Sequence, residues 1–336
     1  EKFILQNNYD FMCQGGQYAH LLHVILFPFT LLDWQTAKAT WLVVNLFFAF
    51  SIPILINKFL NIGSYKSILL IAIFLTCYPT RMSLNYGQQS LFVLFFLLIS
   101  IFSSSKIAIF FSGFSSIKYS TGYILYLNYL INRNYKNLII SSLPYILGWI
   151  IYFSFTDSNW LINFFEPLKW ILQSGYARAG DLYSFLQIFI FNSYGGFYSY
   201  ILLLLIFVLN TILIIKINQV DVFFLRFSLI LFCPLIFFPH SNYDYVLLFP
   251  LLSYSVMKID FLINKVNVLF ILYFFYLNRI VKHLLDIDTF YQLIMLLLTV
   301  FIVILNISSY SNINKLVIFN KVILLTNNNN LKKKAS

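Results

Sequence analysis

The sequence predicts an all-α, polytopic integral membrane protein of about ten transmembrane helices, and three observations predict it. Hydrophobic residues make up 60% of the chain and charged residues 10%, with a mean hydropathy of +0.82, whereas soluble domains carry roughly 25% charge. The apolar residues fall into runs close to the length needed to cross a hydrocarbon core of about 30 Å. The few charges lie between those runs, and their signs sort onto two faces.

Each element follows from this pattern. Residues 18–32, interrupted by Pro28 and carrying His20 and His23, are too short to span comfortably and are expected to lie in the interface or to re-enter the bilayer. Runs at 37–57, 65–79 and 89–105 read as spans. The stretch 107–131 lies between Lys106 and the Arg133/Lys136 pair. A single crossing would put those bases on opposite sides, so a tight hairpin is predicted, with Lys118 at its outer tip. Runs at 137–155, 197–216 and 222–239 are further spans. Residues 245–278 contain Lys258, Asp260 and Lys265 and read as two short spans around an inner loop, and 289–308 is the last span. The longest polar excursion, 156–196, is rich in Trp and Tyr and holds Pro167 and Gly195-Gly196. It is expected to fold as amphipathic segments lying on the bilayer, where it could lid a site. Residues 1–308 thus form one polytopic domain, and 309–336, ending NNNNLKKKAS, form a solvated cytoplasmic tail touching anionic lipid. The chain starts without Met at Glu1, and one further transmembrane helix is expected upstream.

Charge gives the orientation. Lys58, Lys66, Lys106, Arg133, Lys136, Lys216, Lys258, Lys265 and the lysines of the tail fall inside with only Asp221 and Asp260. Every other acid, including Asp10, Asp33, Asp181 and Asp244, falls outside, and Arg226 is left within a span. The basic pI near 9.4 is therefore explained by loops beside spans, and nucleic-acid binding is rejected. Cys13, Cys77 and Cys233 are far apart and lack partners at metal-ligand spacing, so neither a disulfide framework nor a zinc site is expected. No acid cluster has obvious spacing for a divalent ion, although outer acids distant in sequence could converge on one. No internal repeat of the kind that builds transporters from inverted halves is evident.

Four clusters at outer ends of spans could carry chemistry. In TRMSLNYGQQS, Gly87 permits close backbone approach and Gln88 and Gln89 offer amide donors and acceptors, or the segment is a plain helix cap. In FSGFSSIKYSTGY, Lys118 either meets an anion such as a phosphate or snorkels to the headgroups. In FFPHSNYDY, His240, Asn242, Tyr243 and Asp244 crowd one turn; His240 and Asp244 could meet on a helix face, while Asn and Tyr caps are ordinary there. In NNYDFMCQGGQYAHLLH, Asp10 is a candidate carboxylate or a solvated loop residue.

In their order, the run QYAHLLHVILFPFTLLDWQTAKATWLVVNL, the segment YGQQSLFVLFFLLIS, the Gly113–Lys118 turn followed by NRNYK, and PHSNYDY before a span resemble the bacterial membrane glycosyltransferases of family 87, in the GT-C superfamily. The resemblance covers most of the chain through short, degenerate motifs. It implies transfer of a hexose, often mannose, from a polyprenyl-phosphate carrier to a lipid or glycan acceptor on the extracytoplasmic face of the bacterial inner membrane. The implied mechanism is inverting displacement, in which a carboxylate of the first outer loop takes the acceptor proton while cations and amides stabilise the leaving phosphate. Residue by residue, the Gly-Gln motif falls on Gly87 and Gln88, the hairpin lysine on Lys118, and the late segment on His240, Tyr243 and Asp244. The carboxylate is either Asp10, at an unusual spacing, or a residue upstream of Glu1. The donor is a substrate, and no resident cofactor is implied beyond a divalent ion that some relatives use. A lipid-linked saccharide flippase or polysaccharide exporter component is the alternative, because it also wants a basic residue within the membrane; a noncatalytic assembly subunit ranks behind both.

Overall fold

The computed structural model describes residues 19–103, 105–155, 181–186, 197–278, 280, 291 and 293–310. Every secondary element among them is helical and none is a strand. Among the described residues, four helices are long and apolar enough to cross a membrane, or five if a bent pair is taken as one span. The expectation of about ten full spans is thus met by four or five, with shorter apolar helices between them.

The first short helix, α1 (His20–Leu26), passes through the 3-10 turn Phe27–Leu31 that Pro28 opens. Ala19 before it donates its N–H to the Ile117 carbonyl at 2.8 Å, pinning this end of the chain at the tip of the hairpin. Helix α2 (Trp34–Leu60) starts where Asp33 accepts the N–H groups of Gln35 and Thr36, both at 3.1 Å, a capping arrangement that satisfies otherwise orphaned donors. It ends at Asn61, whose left-handed φ of 51° closes the last turn. Asn57 of α2 donates to Ser67 Oγ at 2.7 Å and so ties α2 to α3 (Ser64–Thr76). The run predicted as one span at 65–79 is broken. Cys77 is extended, Pro79 starts a new turn, and α4 (Tyr78–Asn85) leaves α3 at 50°, because proline is compatible with a first helical turn but not with continuing one.

Helix α5 (Ser90–Phe102) leads to the hairpin: α6 (Lys106–Ser112), the 3-10 turn Gly113–Ile117, and α7 (Tyr119–Ile131). Charge balance alone asked for this turn-back, and the chain reverses with Lys118 at the apex. Helix α7 packs back on the 3-10 turn at Gly122, where a side chain would overlap the Ser115 carbonyl, so the absence of a Cβ is what permits the approach. Tyr126 braces this packing by donating to the Ser141 carbonyl of α8 (Tyr135–Ser154) at 3.2 Å. The described part of the long loop is the short helix α9 (Leu182–Leu186); its remainder, and the tail from 311, lie outside the described residues.

Helix α10 (Phe197–Ile217) is followed by two helices where one span was expected. These are α11 (Phe223–Ile230) and α12 (Cys233–Phe237), the second opened by Pro234. Residues 228–240 are all buried, so this broken run is the centre of the bundle. The 245–278 stretch divides as anticipated into α13 (Phe249–Met257) and α14 (Leu262–Leu272), and α14 runs on as a π-helical turn, Tyr273–Leu277. The last helix, α15 (Leu293–Tyr310), docks on α14 through a reciprocal amide pair. Asn267 donates to Asn306 at 3.0 Å and Asn306 to Asn267 at 2.9 Å, both buried.

Candidate functional site

Lys118 is the residue before α7 and is 1% exposed. Its ammonium does not snorkel, and its first partner is internal. It contacts both carboxylate oxygens of Asp244, at 2.5 and 2.7 Å, and lies 4.8 Å from the centre of the Tyr243 ring. Asp244 opens the 3-10 turn Asn242–Leu248 in a capping box with Ser241, whose N–H donates to its Oδ2 at 3.0 Å. Ser90, at the first turn of α5, donates its hydroxyl to Oδ1 at 2.5 Å. Three segments distant in sequence are thus locked on one carboxylate. Burial pushes that carboxyl up, but the Lys118 charge and the bonds from Ser241 and Ser90 outweigh it and leave Asp244 below its ordinary range. Each oxygen of Asp244 is engaged twice, so it is poorly placed to take a proton from a substrate.

The expectation that His240 and Asp244 meet on a helix face is corrected: they occupy a turn, and Asp244 spends its hydrogen bonds elsewhere. His240 is 3% exposed, with Nδ1 at 3.2 Å from the Phe238 carbonyl and its ring edge-on to Tyr245. A carbonyl can only accept, so that contact fixes the proton on Nδ1 and leaves the Nε2 lone pair. Nε2 is buried and has no hydrogen-bond partner among the described residues. Burial lowers the His240 pKa, and the strongest opposing influence is Asp181.

Asp181 was not singled out by sequence, where it was one acid in a long loop. It precedes α9, is fully buried, and accepts the Ser184 N–H on Oδ1 at 2.8 Å. Its Oδ2 has no partner among the described residues, and burial raises its pKa. A carboxyl that resists ionising thus faces the field of an imidazole that resists protonation, an arrangement typical of proton-transfer pairs.

The Gly-Gln segment lies beside them. Gly87 takes a φ of +61° and offers its carbonyl to Trp41 Nε1 at 2.8 Å. Gln88 is buried, with its N–H on the Ser83 carbonyl. It is the neighbouring Gln89 whose Oε1 is buried without a partner among the described residues, as are Asn242 Oδ1 and the hydroxyls of Ser115, Ser120 and Thr121, close to Lys118 in sequence. Buried polar atoms are usually paired by protein or water, and open ones also occur elsewhere in the bundle, at Asn45, Asn210 and Asn264 among others. Asp10 lies outside the described residues. Among the described residues, no three His, Cys, Asp or Glu side chains converge as metal ligands do.

The ends of the hairpin differ in chemistry. Lys118 stands at the start of α7, whereas Arg226, which sequence left within a span, reaches the other end and donates to the Asn218 carbonyl at 3.4 Å. Compared with known proteins, the chain matches no family model, no curated protein and no solved structure.

Proposed function

We propose that this chain is an integral membrane hexosyltransferase that moves a sugar, of the mannose class, from a polyprenyl-phosphate carrier to a lipid or glycan acceptor. The reaction lies at the Lys118 end of the bundle. Membrane placement is supported by the long apolar helices, which turn large side chains such as Leu42, Val43, Phe47, Phe50 and Ile54 of α2 outward. The observation that carries the transferase reading is the pair of buried, open proton-handling atoms, Asp181 Oδ2 and His240 Nε2, beside a buried cation.

The chemistry follows from those groups. The acceptor hydroxyl oxygen forms a bond to the anomeric carbon as the carbon–oxygen bond to phosphate breaks, and the phosphate leaves with the electron pair. His240 Nε2 takes the hydroxyl proton, and the imidazolium that forms favours ionisation of the Asp181 carboxyl beside it, which steadies the new charge. Two of the three N–H donors of Lys118 are spent on Asp244, so the third meets the leaving phosphate, with the Gln89 amide and the Ser120 and Thr121 hydroxyls supplying further bonds.

The test is hexose transfer from labelled polyprenyl-phosphate hexose in membranes carrying the chain, beside His240→Gln and Asp181→Asn. Each variant is expected to lose about 100-fold or more in turnover while still binding the donor. Turnover equal to wild type in both would sink the assignment. A second reading, a lipid-linked saccharide flippase, is favoured by the polar residues at both ends of α7. Label that changes leaflets without reaching any acceptor, in wild type, would select it.

A further inference from the structure

The strongest feature outside the Lys118 site is a cavity at the opposite end of α7, of about 300 Å3, at the lower limit of small-ligand pockets and the size of a headgroup. Its walls divide into two halves. One is apolar, with Ile101, Ile109, Ile124 and Phe227. The other is made of amides and one cation: Asn128 and Asn132 from α7, Asn134 and Asn137 at the start of α8, Asn218 after α10, and Arg226 from α11. No acidic residue is among the lining side chains.

Arg226 is held in place for a ligand. Nη1 donates to the Asn218 carbonyl, and the guanidinium carbon lies 5.7 Å from the Phe223 ring centre. This fixes one side of a planar five-donor fork whose geometry suits phosphate oxygens. Asn218 Nδ2 is a buried donor with no partner among the described residues. Donors thus outnumber charged acceptors among the lining side chains, and the exposed bases Arg133 and Lys136 are sequence neighbours of the lining residues Asn134 and Asn137.

We propose that this cavity is a second binding site, distinct from the Lys118 site, for the phosphate headgroup of a membrane amphiphile whose chains run along the Ile101–Ile109–Ile124 wall. Arg226 clamps the phosphate, and Asn128, Asn137 and Asn218 bond the remaining headgroup oxygens. The inference needs the bundle to lie in a membrane and does not depend on sugar transfer. The face is the one the loop charges assign to the cytoplasmic side, where anionic lipids concentrate.

The experiment titrates the purified full chain in a neutral detergent with dihexanoyl-phosphatidic acid, inorganic phosphate or dihexanoyl-phosphatidylcholine, read by native mass spectrometry. Saturable binding of the phosphatidic acid is expected, weakened about tenfold or more by Arg226→Gln, less by Arg226→Lys, and unchanged by Lys38→Gln at an exposed position of α2. Asn137→Leu, at the half-exposed rim, is a second weakening variant, so a poorly folded Arg226→Gln protein still leaves a decisive comparison. Equal affinity for inorganic phosphate would overturn the amphiphile and assign a soluble anion. Equal affinity for phosphatidylcholine, or wild-type binding in both Arg226→Gln and Asn137→Leu, would overturn the site.

Discussion

Removing the Lys118 ammonium leaves Asp244 ionised in a place that excludes water, with only Ser90 and Ser241 to hold it. Breaking one partner of a buried pair costs about 3–5 kcal/mol, so Lys118→Ala is expected to lower stability as well as any activity. The double variant Lys118→Met/Asp244→Asn should recover most of that loss in a denaturant titration of the purified protein. If the single and double variants are equally destabilised, the pair is not the source of the cost. The same residues set the acid response. Asp244, held below its ordinary pKa, contributes stability that is present above about pH 4 and lost as pH falls through its folded value. His240, also lowered, contributes stability that is complete above about pH 6.5 and lost on acidification below it, because the unfolded chain takes up the proton first. Asp181, raised, has the opposite sign: the stability it gives at low pH is lost as pH rises through its folded value. A His240→Gln protein should therefore show a flatter melting temperature between about pH 7 and 5 than wild type. Parallel curves would mean that folding leaves the His240 pKa where it stands in the unfolded chain.

The helices themselves divide into those whose positions could be read from spacing and those that could not. The hairpin was legible because Lys106 and the Arg133/Lys136 pair had to share a side, and a reversal at Lys118 is the cheapest way to arrange it. The packing that makes it compact rests on Gly122. Gly122→Leu should destabilise the fold by about 1–3 kcal/mol or rearrange the hairpin, and a thermal midpoint equal to wild type would show that α7 does not pack on the 3-10 turn there. The breaks after Thr76 and at Leu231–Phe232 were not legible, since both lie inside uninterrupted apolar runs and only Pro79 and Pro234 hint at them. The break after Thr76 is closed by a residue from far along the chain: Tyr276 of the π-helical turn donates to the Ile73 carbonyl at 3.0 Å and touches the Thr76 hydroxyl at 2.8 Å. Irregular backbone inside a bundle is tolerated where a neighbouring side chain re-satisfies it. The Asn267–Asn306 pair sets the register of the last two helices in the same currency of buried amides.

At the scale of the molecule, the sorting of charge was legible and the partners of the charges were not. Hydropathy sees each residue with its neighbours in sequence, whereas Asp244 finds Lys118 from 126 residues away, and Asp181 shares a field with His240 across a loop whose polarity alone suggested a lid. The two-faced reading makes a plain prediction. Asp33→Cys, fully exposed before α2, should react with an impermeant maleimide added to intact cells, and Asn134→Cys, exposed between α7 and α8, should react only after permeabilisation. Labelling of both from outside would reverse or abolish the topology. The Lys118–Asp244 pair also carries a clock. The ribosome makes the lysine first and its counter-ion 126 residues later, about 6–25 s at ordinary elongation rates. During that interval the hairpin tip holds an uncompensated charge, so on the proposed membrane reading it is expected to stay in water until the Asn242–Leu248 turn is synthesised. The burial of Lys118 is thus expected late in synthesis, and a nascent chain stalled before Asp244 should keep that lysine open to an amine-reactive reagent.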